Sequence, residues 1–286
     1  MRNGSQLPAS ILKILPNIMQ RIITSVLYTI ITLAIFSSCK KESATPAYNE
    51  KKLATLSIQF DNIVGEKNLQ LNTGVYTNAS GEQFSVSTLQ YYISNIKVTT
   101  SGGQAYTVPQ DSSYFLVSES SATSQFVKVK VPEGEYATLS FVLGVDSLRS
   151  TAKVDKRTGV LDPAGEAGGN MYWSWNSGYI FFKMEGSSAV APGDKKFRYH
   201  IGGFGGYSAP TINNLKTIDI QLTAAGVAKV RQDREANIHL MVDVMKVFNG
   251  PTNVSIAQNA TVMFGDFSKL IANNYTAMFR HDHTEN

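Results

Sequence analysis

The hexapeptide FVKVKV, residues 126–131, sets Val127, Val129 and Val131 on one side of the chain and Lys128 and Lys130 on the other. Successive side chains of a β-strand point to opposite faces, so a strict period of two is the mark of a half-buried strand. The alternation resumes in YATLSFVLGV with Ala137, Leu139, Phe141 and Leu143 in phase. The PEGE between the two runs reads as a turn, and a β-hairpin is predicted. ATLSIQF, FSVSTLQYYISNIKVTT, KFRYHIGGF, LKTIDIQLT and ANIHLMVDVMKVF are further strand candidates, separated by Gly, Asn, Pro or Ser clusters. About ten strands with turn signals between them predict an all-β fold, an antiparallel β-sandwich. One short C-terminal helix is expected over residues 266–279, where Phe267, Leu270, Ile271, Asn274 and Met278 fall on one helical face and Asp266 stands at the cap. RSTAKVDKRTGVLDPAGEAGGN, residues 149–170, is a long Gly-rich connection of the kind that carries function or disorder.

The first 39 residues follow different rules. After Arg21 an uncharged run extends from Ile22 to Phe36, then Ser37, Ser38 and Cys39. That run falls short of the roughly 20 apolar residues of a membrane span. It has the form of a lipoprotein signal peptide, with Cys39 as the lipidated residue and the cell envelope as the destination. A start at Met19 would give the signal its usual length. Three domains of behaviour follow: residues 1–39 as signal, 40–52 as a polar flexible tether, and 53–286 as the folded domain. Cys39 is the one cysteine of the chain, so the folded domain has neither an internal disulfide nor a thiolate metal site. The net charge of +4 includes Arg2, Lys13 and Arg21 of the signal; without these three, 23 basic residues face 22 acidic ones. That balance argues against nucleic acid as a partner.

No GxSxG, HExxH or cysteine nucleophile is present, and GGFGG at 202–206 lacks the spacing of a nucleotide-binding loop. It reads as a tight turn, and the chain is expected not to be an enzyme. The chemistry left lies in four histidines. By strand alternation His200 faces away from Phe197, Tyr199 and Ile201, as a surface or hydrogen-bonded histidine would. His239 shares a face with Met241, Asp243 and Met245, and imidazole with thioether suits copper, whereas methionine on a strand is more often packing. His281 and His283 of HDH fall on one side of an extended segment as a metal clip or a frayed end. NMYWSWNSGYIFF holds both tryptophans, Trp173 and Trp175, which share a face if the segment is extended. They serve either as packing or as an exposed stacking platform for a sugar or another ring.

MYWSWNSGYIFFKMEG followed by FRYHIGG, with LQYYISNIKV and LSFVLGVDS upstream, resembles the MbnP-like family of bacterial copper-binding proteins, which includes MopE and CorA. The resemblance spans roughly residues 54 to 283. It implies an extracytoplasmic β-sandwich that holds copper through histidines, in some members beside a tryptophan oxidised to kynurenine by a partner dihaem peroxidase. Trp173, Trp175, Gly178 and Tyr179 match the aromatic motif, His200 the histidine after it, and MFRHDH a histidine-bearing end in which His283 is the better match. The implied ligands are His200 and His283, then His239 and His281, with Trp173, Trp175 and Tyr179 as flanking or modified aromatics. The kynurenine motif has a histidine two residues after its tryptophan, whereas Trp173 is followed there by Trp175 and Trp175 by Ser177. The alternative function is a surface lipoprotein that binds a glycan or a protein through the aromatic motif, without metal.

Overall fold

The computed structural model describes residues 49–286 apart from Asn176 and Ser177. Cys39 and the signal before it lie outside the described residues. Among the described residues no helix is long and apolar enough to cross a membrane. The strands are β1 (Asn49–Val64), β2 (Lys67–Asn68), β3 (Tyr76–Thr77), β4 (Gln83–Thr100), β5 (Ala105–Thr107), β6 (Tyr114–Ser118), β7 (Phe126–Leu143), β8 (Tyr172–Trp173), β9 (Gly178–Ser187), β10 (Lys196–Gly202), β11 (Lys216–Gln221), β12 (Ala228–Val230), β13 (Ala236–Asp243), β14 (Thr261–Val262) and β15 (Phe279–Glu285). Their main hydrogen-bonded order is β14-β10-β9-β4-β7-β1-β13-β15. Strand β1 begins at Asn49, ahead of the expected start at Leu53.

Most pairs are antiparallel, as the alternating patterns predict. The exceptions are β1 with β13 and β10 with β14, which run parallel. A parallel pair needs a long crossover, and the chain between β1 and β13 supplies one.

The predicted hairpin at PEGE is instead a single strand, β7, that runs straight through it. Val127, Val129 and Val131 face the core before PEGE and Leu139, Phe141 and Leu143 after it, while between them the even-numbered Tyr136 takes the core position, so the strand shifts phase there without ending. Pro132 pairs with Leu53, next to the irregularity in the β1 register, and a bulge is where a strand tolerates the missing N–H of proline. Tyr136 donates from its hydroxyl to the Pro132 carbonyl at 2.7 Å and fastens the passage.

The main core draws on both ends of the strand order, from Phe197 and Tyr199 of β10 to Ile238 and Leu240 of β13. Phe60, Phe141 and Phe279 meet edge to face, with centroids 5.1 to 6.3 Å apart. A smaller cluster gathers Tyr92, Leu161, Met171, Trp173, Tyr179 and Phe181. The long connection before it holds short helical turns, among them α1 (Ser147–Ser150) and α2 (Glu166–Gly169). The C-terminal helix α3 (Asp266–Asn274) is shorter than predicted and is capped at Gly265, while Asp266 pairs with Lys269. It buries Ile271 and Asn274 as the spacing implies, but Leu270 is exposed.

Candidate metal centre and aromatic platform

The strand register sets the outward residues of β7, β1, β13 and β15 in cross-strand rows. One row runs Phe126, Gln59, His239, His283. On one side of it lies Lys128, Ser57, Asn237, Glu285, and on the other Asp61, Met241, Arg280. Directly opposed side chains on one face are in contact range, and the His239 and His283 rings stand 4.9 Å apart.

The β13–β15 ladder is irregular at this point. His239 and Leu240 are adjacent, yet their partners His283 and His281 are two residues apart. Asp282 is therefore the extra residue of a β-bulge, a device that re-aims a side chain. It allows the consecutive residues Asp282 and His283 to converge on His239. It also separates the two imidazoles of HDH, which a regular strand would have kept on one side. His281 pairs with Leu240 on the inward face; its Nε2 lies 2.9 Å from Thr284 Oγ1, and its Nδ1 is buried without a partner.

Asp282 Oδ2 sits 3.2 Å from His239 Nδ1 and 2.8 Å from His283 Nδ1. One ligand atom from each of the three residues lies within 4.8 Å of the others. On the far side of the His239 ring, Nε2 is 3.3 Å from Asp61 Oδ2, and His283 Nε2 is 3.7 Å from Glu285 Oε1. A carboxylate behind an imidazole fixes the N–H on that nitrogen and leaves the other as a ligand, the arrangement that supports metal-binding histidines. The hydrogen bond with Asp282 holds His283 above the usual imidazole range and Asp282 below the usual carboxylate range.

His200 lies on β10, near the other end of the strand order, and is not brought together with His283. Its Nε2 is 2.6 Å from Glu185 Oε1, as a hydrogen-bonded strand histidine on the Arg198 side. Burial pulls its pKa down, against the opposing pull of Glu185. Met241 keeps to the outward face beside His239. Asp243 instead accepts from the Gly65 and Met245 backbone N–H groups, and Met245 belongs to a helical turn. Asp61 and Asp282 were not singled out by sequence; the odd-numbered alternation of Gln59 and Asp61 along β1 was the available signal.

The tryptophans do not share a face. The extended segment ends at Trp173, which is 6% exposed, and Trp175 follows in a turn, 64% exposed. Their rings nevertheless touch, with centroids 5.3 Å apart. Gly202 of GGFGG makes room for Trp173, since a Cβ there would stand 2.7 Å from its ring. The rest of that motif is the expected turn, with φ of +99° to +111° at Gly203, Gly205 and Gly206, conformations suited to glycine. Tyr179 is buried; its hydroxyl donates to the Leu161 carbonyl at 2.5 Å and burial pushes its pKa up to about 12.

The MbnP family model matches residues 53–264, a span that ends before α3 and β15. Among solved structures, MbnP from Methylosinus trichosporium superposes with a TM-score of 0.51 at 14% identity, covering 75% of this chain and 82% of its own. At that identity the likeness is one of fold. No curated protein matches the chain.

Proposed function

The chain belongs to the MbnP family, and from that premise we propose that it is an extracytoplasmic, lipid-anchored copper-binding protein whose metal centre is His239, His283 and Asp282. The supporting observation is the convergence of two imidazole Nδ1 atoms on one carboxylate oxygen, with Asp61 holding the far side of His239. Two imidazoles and a carboxylate suit copper(II), zinc or nickel, and copper(II) heads the divalent affinity series. The protein's own contribution is a donor set held on paired strands. In this reading the centre binds metal and catalyses nothing. We further read the sheet as folding over its core in a sandwich, because both ends of the strand order feed one core cluster.

Calorimetric titration with copper(II) in competition with zinc tests the centre. The expected result is one site, lost in His239→Ala and in His283→Ala and retained in His200→Ala and His281→Ala. Loss in His200→Ala alone would move the centre to β10 and refute the assignment. Imidazole binds in its neutral form, so affinity falls as pH drops through the histidine range. The raised pKa of His283 makes protons compete with the metal at higher pH than at an ordinary histidine.

A second reading rests on Trp175, whose exposed ring is backed by Trp173. There the protein is a surface lipoprotein that stacks a glycan or a partner protein on this platform, without metal. Trp175 is likewise the tryptophan that a dihaem peroxidase partner would reach. Intact mass of the native protein, with no kynurenine shift at Trp173 or Trp175, is the expected outcome.

A further inference from the structure

Beside the metal centre, the row Lys128, Ser57, Asn237, Glu285 forms the floor of an open cleft of about 770 Å³. Phe115 of β6, Thr123 and Phe126 wall it, and Glu235 stands at its edge. That volume lies in the range of small-molecule sites, roughly 300–1,000 Å³. Two features of the floor are unexplained by the fold. Ser57 is 1% exposed, yet its Oγ has no hydrogen-bond partner. Asn237 spends its Nδ2 on Gln59 Oε1 at 3.2 Å, while its Oδ1 is buried and unpartnered. Buried polar atoms are rarely left unmatched in a folded protein, and each exception calls for a reason.

The chemistry of the cleft selects its ligand. Lys128 is taken by Glu235 at 2.7 Å, and Glu285, held only by long contacts to His283 Nε2 at 3.7 Å and Asn237 Nδ2 at 3.5 Å, keeps room for a closer cationic partner. Asn237 Oδ1 and Glu285 accept hydrogen bonds, and Ser57 Oγ can accept one. An anion would meet Glu285 and Glu235, and a purely apolar molecule would leave Ser57 and Asn237 unmatched. A protonated primary amine donates three hydrogen bonds, carries the charge that complements Glu285, and is attracted to aromatic faces such as Phe115 and Phe126.

We propose that this cleft is a binding site for a small organic ammonium ligand, a primary amine on an apolar frame, with its head on Ser57, Asn237 and Glu285 and its frame against Phe115 and Phe126. The site adjoins the metal centre, sharing Glu285 with it, and needs no bound metal.

The test uses the detergent-solubilised full chain, kept metal-free with a chelator, and benzylamine as the probe, followed by calorimetry and amide NMR. Benzylamine is expected to bind, with shifts concentrated at Ser57, Phe126 and Asn237. Benzyl alcohol, the same frame without the charge, is expected to bind at least about tenfold more weakly. Glu285→Gln, a shape-preserving change on an outward position, should weaken benzylamine by a similar factor. Thr123→Trp, which fills the mouth, should abolish it, and His239→Ala should leave it unchanged. Equal affinity for amine and alcohol, shifts elsewhere, or full affinity in Glu285→Gln would overturn the proposal. Loss of amine binding in His239→Ala would overturn its independence from the metal centre. Failure of copper to bind would leave the cleft untouched.

Discussion

Asp61 and Glu82 are two carboxylates with opposite duties. Asp61 touches only the far nitrogen of His239, so its effect on a metal would be exerted through that ring. Asp61→Asn is expected to lower copper affinity by roughly 10–100-fold, as loss of such supporting carboxylates does, with little change in unfolding free energy. An unchanged affinity would mean that His239 needs no orienting partner. Glu82 holds the fold itself. It accepts from Asn78 Nδ2, Ser255 Oγ and the Ile256 and Ala257 N–H groups, at 2.6 to 3.1 Å, and joins two distant loops. Burial pushes its pKa up, but these four donors outweigh burial and hold it below the ordinary glutamate value of 4.5. With the folded pKa depressed, the unfolded chain binds the proton more readily. The contribution of Glu82 is therefore complete above pH 4.5 and lost as pH falls through the folded value. Glu82→Ala should cost about 1–3 kcal/mol or more near neutral pH and less in acid, as urea unfolding at several pH values would reveal. Neither role was legible in sequence. The register that places Asp61 beside His239 joins residues 178 positions apart, and half of the partners of Glu82 are backbone groups, which carry no residue-specific signal.

At the scale of elements, alternation located β1, β4, β7, β10, β11 and β13, because it reports which face is buried; it did not single out β9, whose first five residues are buried on both faces, or β15. It failed inside β7, where PEGE has the composition of a turn. Composition states what a tetrapeptide can do alone; pairing with β1 and β12 decided what it does here. The strand changes phase at Gly134–Tyr136 and changes back by Leu139, an irregularity that reads locally as a turn. At α3 spacing found the buried Ile271 and Asn274, and the chain leaves the helix early because Phe279 is needed as the start of β15. The Trp segment left packing and platform open, and a turn after Trp173 realises one at each ring, sending one indole inward and the other outward. Chemical denaturation should separate them. Trp173→Ala is expected to cost about 3–5 kcal/mol as a large core truncation, and Trp175→Ala about 0.5 kcal/mol or less as a surface change. Equal losses would show that the exposed indole packs as firmly as the buried one.

For the molecule as a whole, the proposed anchor and the proposed metal centre occupy separate parts of the chain. If Cys39 carries the lipid, Cys39→Ala should move the protein from the membrane fraction to the soluble one, since no helix among the described residues can span a bilayer. Retention in the membrane would refute the anchor. The expectation of an anchor rests on Cys39 and the uncharged run before it, whereas the family and the mostly β fold that the resemblance implied are present. The resemblance named His283 through MFRHDH but set it first with His200; its pairing with His239 comes from the β13–β15 register, which no local pattern carries. Strand β15 has its own history to tell through the bulge at Asp282. Leaving out this one residue restores a regular ladder in which His281 still meets Leu240 and His283 still meets His239. The neighbouring side chains would keep their faces, and only the carboxylate between the imidazoles would go. In genetic terms the centre stands a single in-frame codon away from a plain edge strand, so a lineage can acquire or discard it by insertion or deletion without rebuilding the sheet.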